Sequence, residues 1–413
     1  MTGRNAPEIV LVGTLDTKGR EIEYTRGALQ RLGCLVTVVD SGILGEPDGC
    51  AADVTREEVA AEGGHELEAL RHAGSRGLAV ERMLEGVRAV CLRLLAERKL
   101  DGVLCLGGAE GAILGAAAMR ALPVGVPKLI VTPSASGRRP FADFVGTNDA
   151  MCMHSVVDIL GLNPIARSVF DNAAAAIAGM ARDGGGPIGA LGPSTVGLTM
   201  LGHTTPAVMR IRARLEREGY EPVVFHANGV GGPAMEDLAR GGSIAAVVDY
   251  TLSELANTVM NGIHTTGPER LTVAGALGLP QVVVPGCADF FNQGAPATMP
   301  PRYRNRKCYY HNPFATLVRL SADEMVDLGH MIASRLNVAK GPVHVITPTR
   351  GFSLADVPGG DLWDPEADAA LVETLATALR ADIPYERVDT HINDPELADL
   401  VAERFLAMAP VHA

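Results

Sequence analysis

The sequence predicts an α/β protein made of two tandem Rossmann-like, doubly wound domains with mostly parallel sheets. Short runs of apolar and β-branched residues alternate with segments of helical periodicity, as in 8–13 followed by 20–32. The runs are continuously apolar, which is typical of parallel strands that helices cover on both faces. The glycine-rich segment 183–187 interrupts this alternation, which restarts beyond it. We therefore expect an N-terminal Rossmann-like domain over 1–184 and a C-terminal α/β domain over 187–413.

The individual elements follow from the same pattern. In the first domain we predict strands at 8–13, 35–40, 102–106 and 127–132, and helices at 20–32, 78–99 and 109–122. In the second we predict strands at 196–201, 222–226, 244–249, 281–285 and 343–347. Its predicted helices are 206–217, 254–260, 322–336, 366–380 and 395–407. The apolar positions of the helices recur at the three- and four-residue spacing of a half-buried helix.

Composition narrows the range of functions. The chain has 413 residues and a formal net charge of -12, which argues against nucleic acid as its partner because a phosphate backbone requires a basic face. No secretory signal and no apolar run of ~18 residues are present, so we expect a cytoplasmic protein with no membrane contact. The seven cysteines are scattered without a C-x-x-C pair. Reduced core thiols are therefore expected, with a thiol nucleophile or a zinc site as the alternative.

Five loops rich in Gly, Ser and Thr are expected at the carboxyl ends of the first domain's strands. They span 13–19, 40–42, 107–111, 132–137 and 146–149. Ligands of open α/β sheets bind beyond this edge, where glycine permits close approach and helix N-termini favour phosphate. The residues assigned to cofactor binding are Gly13, Thr14, Asp16, Thr17, Lys18, Asp40, Gly107, Gly108, Glu110, Gly111, Thr132, Ser134, Ser136, Gly146, Asn148 and Asp149.

Two of these residues have a more specific expected role. Lys18 would supply a positive charge, and Asp40 lies ~20 residues past the first loop, where a ribose-binding carboxylate occurs in nucleotide folds. Tight turns between strands and helices would explain the same Gly and Ser without any ligand. Neither G-x-x-x-x-G-K-[ST] nor G-x-G-x-x-G follows a strand, so a P-loop is excluded and dinucleotide binding is unsupported.

The second domain places more reactive side chains after its predicted strands. His203, His226 and Asp289 are the candidate catalytic residues, because a histidine beside a carboxylate can transfer protons near neutral pH. Glu236, Asp249 and Glu254 lie near them in the pattern. The same set could bind a divalent metal, although no H-E-x-x-H spacing is present. For each histidine a structural role is the alternative.

A basic and aromatic segment at 299–312 is unusual in this acidic chain. It contains four basic residues and three tyrosines. A lid over an anionic substrate, a contact with nucleic acid, a dimer contact and a solvated loop all fit this composition. Tyr and Arg are enriched at interfaces.

Several motifs in order resemble those of a known family. They are 13–19, 107–108, 146–149, 201–205, 226–229 and 249–251. Together they resemble the uncharacterised family that includes the N-terminal half of the tomato protein conferring resistance to tomato mosaic virus. The resemblance implies two Rossmann-like domains, a homodimer and ATP binding by the first domain. It also implies that the loops beginning at Gly13, Gly107 and Thr132 bind the nucleotide.

Three functions are compatible with these observations. The first is an ATP-dependent enzyme acting on a small anionic metabolite at the interdomain cleft. In that case Asp16, Asp149 or Asp289 would hold Mg²⁺, and His226 would be the base. The second is a nucleotide-sensing interaction protein without turnover. The third is an ATP-independent lyase or hydrolase that uses the His and Asp cluster of the second domain.

Overall fold

The computed structural model describes residues 6–136, 144–188 and 192–409, and the chain divides into two compact units. Unit 1 is Met1–Ile188 and unit 2 is Gly189–Ala413, so the division falls beside the glycine-rich segment 183–187. A parallel sheet of five strands forms the centre of unit 1, and a parallel sheet of six strands forms that of unit 2. The predicted fold class is confirmed. No helix in the described part of the chain is long and apolar enough to cross a membrane.

Unit 1 places helices on both faces of its sheet. The strands are β1 (Glu8–Gly13), β2 (Leu35–Asp40), β3 (Gly102–Leu106), β4 (Lys128–Thr132) and β5 (Met151–His154). The helices are α1 (Leu15–Arg31), α2 (Arg56–Glu62), α3 (Leu67–Arg71), α4 (Arg76–Ala96), α5 (Ala109–Ala121) and α6 (Pro164–Asp183). The strand order is β2-β1-β3-β4-β5, with every pairing parallel. The buried runs of β1, β3 and β4 supply core side chains to both faces.

Unit 2 repeats this plan with more strands. The strands of its main sheet are β6 (Thr195–Met200), β7 (Glu221–His226), β8 (Ala246–Thr251), β9 (Gln281–Gly286), β13 (Val343–Pro348) and β14 (Tyr385–Val388). Their order is β14-β13-β9-β8-β6-β7, again parallel throughout. The helices are α7 (Thr205–Arg217), α8 (Gly231–Arg240), α9 (Ser253–Met260), α10 (Val273–Leu277), α11 (Ala322–Leu336), α12 (Pro365–Ala378) and α13 (Pro395–Met408).

A small antiparallel sheet is inserted after β9. It consists of β10 (Phe290–Gln293), β11 (Cys308–Asn312) and β12 (Ala315–Arg319), with β12 in the middle. Phe290 and Leu317 of this sheet pack with Leu201 and Cys287, which follow β6 and β9 of the main sheet. The insertion therefore covers part of the carboxyl edge of the main sheet in unit 2.

Candidate functional site

A cavity of about 1210 Å³ opens at the carboxyl edge of the sheet in unit 1. Its wall is formed by the first turns of α1 and α5, the loop after β2, and the α3–α4 connection. The polar and charged side chains of its lining are Thr14, Asp16, Thr17, Lys18, Ser41, Arg71, His72, Ser75, Arg76, Glu110 and Asp158. The large apolar side chains are Ile43, Leu44, Leu70, Val80 and Leu114. A ligand with an anionic part and an apolar part matches this division.

Three helices begin at the wall of the cavity. Thr14 precedes α1 and Gly108 precedes α5, and neither of these two residues caps its helix with its own side chain. Ser75 precedes α4, and its hydroxyl accepts a hydrogen bond from the Leu78 amide at 3.2 Å. The first amides of a helix lack intrahelical acceptors and carry a partial positive charge. Three helix N-termini therefore lie at the wall of the cavity, and each of them favours a negatively charged group.

The end of β2 holds the start of α1 in place. Asp40 is buried, and its Oδ1 accepts hydrogen bonds from the amides of Leu15 at 3.0 Å and Gly42 at 2.8 Å. Burial raises the pKa of Asp40, and the two amides oppose that shift. Asp40 does not line the cavity, so its observed contacts position α1 and the following loop. The predicted ribose contact of Asp40 is not supported by this placement.

Asp16 plays a comparable part at the mouth of the cavity. Its Oδ2 accepts hydrogen bonds from the amides of Leu44 at 3.3 Å and Gly45 at 3.1 Å. This carboxylate joins the first turn of α1 to the loop after β2. Beside it, the hydroxyls of Thr14 and Thr17 are 2.9 Å apart. Lys18 also lines the cavity and has no ion-pair partner among the residues that the structure describes.

The start of α5 makes close contacts with its neighbours. A Cβ on Gly107 would lie 2.5 Å from the backbone carbon of Gly111, so only glycine fits before this helix. A Cβ on Gly111 would lie 3.9 Å from the Thr14 side chain, which puts α5 beside the first turn of α1. Glu110 forms an ion pair with Arg76 at the start of α4. The Thr14, Gly108 and Ser75 ends of the three helices are therefore linked in one group.

The loop after β4 contributes less than the sequence predicts. Pro133 lines the cavity, whereas the Thr132 hydroxyl accepts a hydrogen bond from the Ser134 amide at 3.2 Å. Ser136 Oγ is 3.4 Å from Nε2 of His154 on β5. Gly137, the last residue of this predicted loop, lies outside the described residues.

The prediction that 146–149 lies at the carboxyl edge is wrong. These residues, Gly146 included, precede β5, which runs parallel to β4, so they lie at the opposite edge of the sheet. Asp149 accepts a hydrogen bond at 2.6 Å from buried Lys128, the first residue of β4. The Asn148 side-chain amide donates to the Leu122 carbonyl oxygen at 3.0 Å. Both side chains anchor the loop and lie far along the strands from the cavity.

The cavity residues between 43 and 80 were not singled out from the sequence. They come from the loop after β2 and from the α3–α4 connection, where no strand ends. One available signal was Ser75, because a serine before a helical run is a common helix N-cap. That signal would have placed the start of α4, and with it Arg76, beside the strand-end loops.

In unit 2, His203 is enclosed by aromatic rings. It follows β6 and is 8% exposed, with its ring centroid 5.3 Å from Phe290 and 5.6 Å from Tyr309. The His311 ring lies 6.1 Å away. Burial, with a smaller contribution from His311, lowers the pKa of His203 to about 4. His203 is therefore neutral at pH 7 and sits in packing that leaves little room for a substrate.

His226 and Asp289 also lie at the carboxyl edge of the main sheet in unit 2, but in different surroundings. His226 ends the edge strand β7 and is exposed. Asp289 is completely buried, and its Oδ2 accepts a hydrogen bond from the Ser353 hydroxyl at 2.8 Å. Burial and the nearby Asp356 raise the pKa of Asp289. Within the described ranges, no hydrogen bond, ion pair or ring contact joins these two residues to each other or to His203.

The other three carboxylates singled out in unit 2 surround one arginine. Arg270 is completely buried and forms ion pairs with Asp249 and, at 2.5 Å, with Glu254. Glu236 lies 3.6 Å from the same guanidinium and accepts a hydrogen bond from the Leu271 amide. This cluster joins β8, α8 and α9. Neither here nor elsewhere in 6–136, 144–188 and 192–409 do three His, Cys, Asp or Glu side chains come together as a metal site.

Several residues of the basic and aromatic segment 299–312 make contacts within unit 2. Residues 308–312 form β11, and Arg306 and Lys307 form ion pairs with Glu324 and Asp364. The Arg302 guanidinium lies 4.7 Å from the centre of the Tyr303 ring. The seven cysteines are unpaired, and four of them are buried.

Comparisons with known proteins give consistent matches to both units. The model of the Uncharacterised protein family (UPF0261) N-terminal domain matches residues 7–184, and that of its C-terminal domain matches 193–409. A UPF0261 protein of Clostridium tetani is 38% identical over 97% of this chain and 98% of its own. A UPF0261 protein of Mesorhizobium japonicum is 38% identical over 95% of this chain and 97% of its own. The ToMV resistance protein Tm-1(GCR237) of Solanum lycopersicum is 36% identical over 98% of this chain and 56% of its own.

Likeness to solved structures is remote. The esterase domain of a Rhodothermus marinus protein aligns with 54% of this chain and 88% of its own, at 13% identity and a TM-score of 0.28. A likeness of this size carries no inference about activity.

Proposed function

The chain belongs to the uncharacterised protein family UPF0261, and from that premise we propose that it is an ATP-binding protein and an ATP-dependent enzyme acting on a small anionic metabolite. One observation carries the proposal, namely the cavity of about 1210 Å³ at which α1, α4 and α5 begin. Amides of three helices and Lys18 suit the phosphates, and the apolar lining suits a base.

The charges of the cavity favour a metal complex of the nucleotide. Its lining carries Lys18, Arg71 and Arg76 against the carboxylates Asp16, Glu110 and Asp158. Three basic and three acidic side chains cancel, so the lining alone does not neutralise a triphosphate. Mg²⁺ commonly binds through substrate phosphates and one or two carboxylates, and would supply the missing charge. Of the three residues expected to hold it, Asp16 alone lines this cavity.

Calorimetry with MgATP tests the binding step. Lys18→Met should weaken binding about tenfold, because it removes a charged hydrogen-bond donor to phosphate. Lys99→Met is the matched control, since Lys99 belongs to the same unit but does not line the cavity. Absence of MgATP binding to the wild-type chain, or equal affinity of both variants, would contradict the proposed site.

Turnover is tested with a panel of small carboxylates and sugar acids while ADP and phosphate are measured. Consumption of ATP with one class of acceptor supports the enzyme. We expect His226→Ala, which removes the proposed base, to abolish that turnover and to leave MgATP affinity unchanged, because His226 does not line the unit 1 cavity.

A nucleotide-sensing interaction protein without turnover is the second candidate. The separate environments of His203, His226 and Asp289 favour it, because no shared catalytic cluster forms from them. This candidate predicts that MgATP raises thermal stability by linkage and changes the affinity for a protein partner. Identical partners recovered with and without ATP would count against it. The ATP-independent lyase or hydrolase fits less well, since Asp289 is buried and His203 is enclosed.

The homodimer and the cytoplasmic location belong to the same proposal. Light scattering of the purified chain with and without MgATP tests the first. Fractionation of cells that express the chain tests the second.

A further inference from the structure

Among the charged side chains of the unit 1 cavity, Arg76 and Glu110 form an ion pair that spans two helix N-termini. Arg76 is the first residue of α4, and Glu110 is the second residue of α5. Both side chains line the cavity, and they are 73% and 45% exposed. The pair is therefore in contact with the space that a ligand would enter.

The Glu110 carboxylate is a negative charge beside the start of a helix and an arginine. It lies in the first turn of α5, where three amides lack intrahelical acceptors and favour negative charge. It also occupies the guanidinium of Arg76, which has the fork geometry that matches carboxylate and phosphate equally. Glu110 thus occupies, from within the chain, a guanidinium that a phosphate group could bind.

The pair can separate at little cost. Exposed ion pairs contribute little to stability because water and side-chain entropy compete with them. A phosphate carries more charge than a carboxylate and offers more acceptor oxygens, so it competes well for the same guanidinium. Arg71, the other cavity arginine, is anchored by the Ile43 carbonyl oxygen and by Glu68 and is less free to change partner.

We propose that Arg76 is the arginine that recognises the phosphates of the ligand, and that Glu110 holds it until a phosphate replaces the carboxylate. This inference rests on the proposed phosphate-binding function of the cavity. It makes Arg76 a specificity residue for anionic ligands and Glu110 an internal competitor that weakens their binding.

Calorimetry with four variants and three probes tests the exchange. The variants are Arg76→Gln, Glu110→Gln, the double variant, and Arg210→Gln as a control that breaks an exposed ion pair with Asp399 in unit 2. The probes are MgATP, adenosine and inorganic tripolyphosphate. Arg76→Gln should weaken MgATP and tripolyphosphate about ten- to hundredfold and leave adenosine unchanged.

Glu110→Gln should tighten both anionic probes by about two- to fivefold, because it removes the competing charge. That gain should vanish in the Arg76→Gln background, while Arg210→Gln should change nothing. Weaker MgATP binding by Glu110→Gln, or an equal loss of MgATP and adenosine by Arg76→Gln, would overturn the exchange. Binding of tripolyphosphate with the expected pattern but no binding of MgATP would refute the proposed nucleotide and leave the exchange supported. If none of the anionic probes binds, both the exchange and the proposed phosphate-binding function of the cavity are overturned.

Discussion

The buried carboxyl group of Glu236 should make unit 2 less stable as the pH rises from about 5 to 8. Burial raises the pKa of Glu236 to about 7, against the opposing effects of Arg270 and the Leu271 amide. An unperturbed glutamate titrates near ~4.3. Between these two values the folded chain keeps a proton that the unfolded chain has released, so every rise in pH favours unfolding. The loss should be complete above about pH 8.

The size of this effect follows from the same two pKa values. Their separation of roughly 2.7 units corresponds to about 4 kcal/mol over the whole titration, at ~1.36 kcal/mol per unit. The Glu236 side chain is 6% exposed, so solvent screens little of it. The cause lies in the cluster, where Asp249 and Glu254 already pair with the one buried arginine and leave Glu236 without a cation of its own.

Glu236→Gln should remove this contribution while preserving the fold of the cluster. The glutamine carbonyl oxygen can still accept the hydrogen bond from the Leu271 amide. Trp363, the single tryptophan of the chain, lies in unit 2 and reports its unfolding in urea. Between pH 5 and 8 the free energy of unfolding of the variant should fall by about 2.5 kcal/mol less than that of the wild type, because the first part of the titration lies below pH 5. Glu221→Gln, at the exposed start of β7, is the control.

Parallel pH dependences for the wild type and Glu236→Gln would refute this reasoning. They would mean that Glu236 remains ionised over this range and that Arg270 neutralises three carboxylates together. A shallower slope for Glu221→Gln would also count against it, because that change touches no buried group.

Three further outcomes are expected. Lys128→Met should destabilise unit 1 by about 2 kcal/mol, because it leaves the Pro123 and Val126 carbonyl oxygens without their buried donor, and should leave MgATP affinity unchanged in calorimetry; a loss of affinity would restore 146–149 to the site. Gly107→Ala should lower both the melting temperature and MgATP affinity, because its Cβ would meet the backbone of Gly111, whereas Gly179→Ala on α6 should do neither. An aromatic disulfide reagent should titrate at most the three partly exposed thiols of Cys50, Cys152 and Cys308 in the folded chain and all seven after denaturation.

The sequence predicts the parallel sheets well because their strands are short, continuously apolar runs. Strand β1 and its neighbours carry this signal strongly, since helices cover both faces. Strand β5 has the sequence Met-Cys-Met-His, which contains no β-branched residue, and it was missed. Missing it had a direct consequence for the site. Without β5, the residues 146–149 read as a loop after a strand, although they precede one.

The loops at 13–19 and 107–111 were located correctly because glycine, threonine and a following helix mark the ends of β1 and β3. The roles of single side chains were harder to predict. Asp40 lies at the position along the sequence where a ribose-binding carboxylate is expected. In the structure, however, its carboxylate accepts hydrogen bonds from two backbone amides of its own unit. The sequence around Arg270 does not indicate that this residue is the cation of a buried cluster. Three acidic residues on neighbouring elements require such a cation when they are buried. Such pairing depends on contacts far apart in sequence.

The two units show why polar strand ends alone do not identify a site. Both carry Gly, Thr, His and Asp residues after parallel strands, and the sequence favours the more reactive set in unit 2. There the antiparallel insertion packs Phe290 and Tyr309 against His203, and Asp289 is buried beneath the same region. In unit 1 the equivalent edge faces a cavity, where α1 and α5 begin without a cap from the side chain of Thr14 or Gly108. Buried polar groups need hydrogen-bond partners within the protein, whereas polar groups exposed to a cavity can form hydrogen bonds with a ligand. The open edge in unit 1 is therefore the stronger candidate, despite its less reactive side chains.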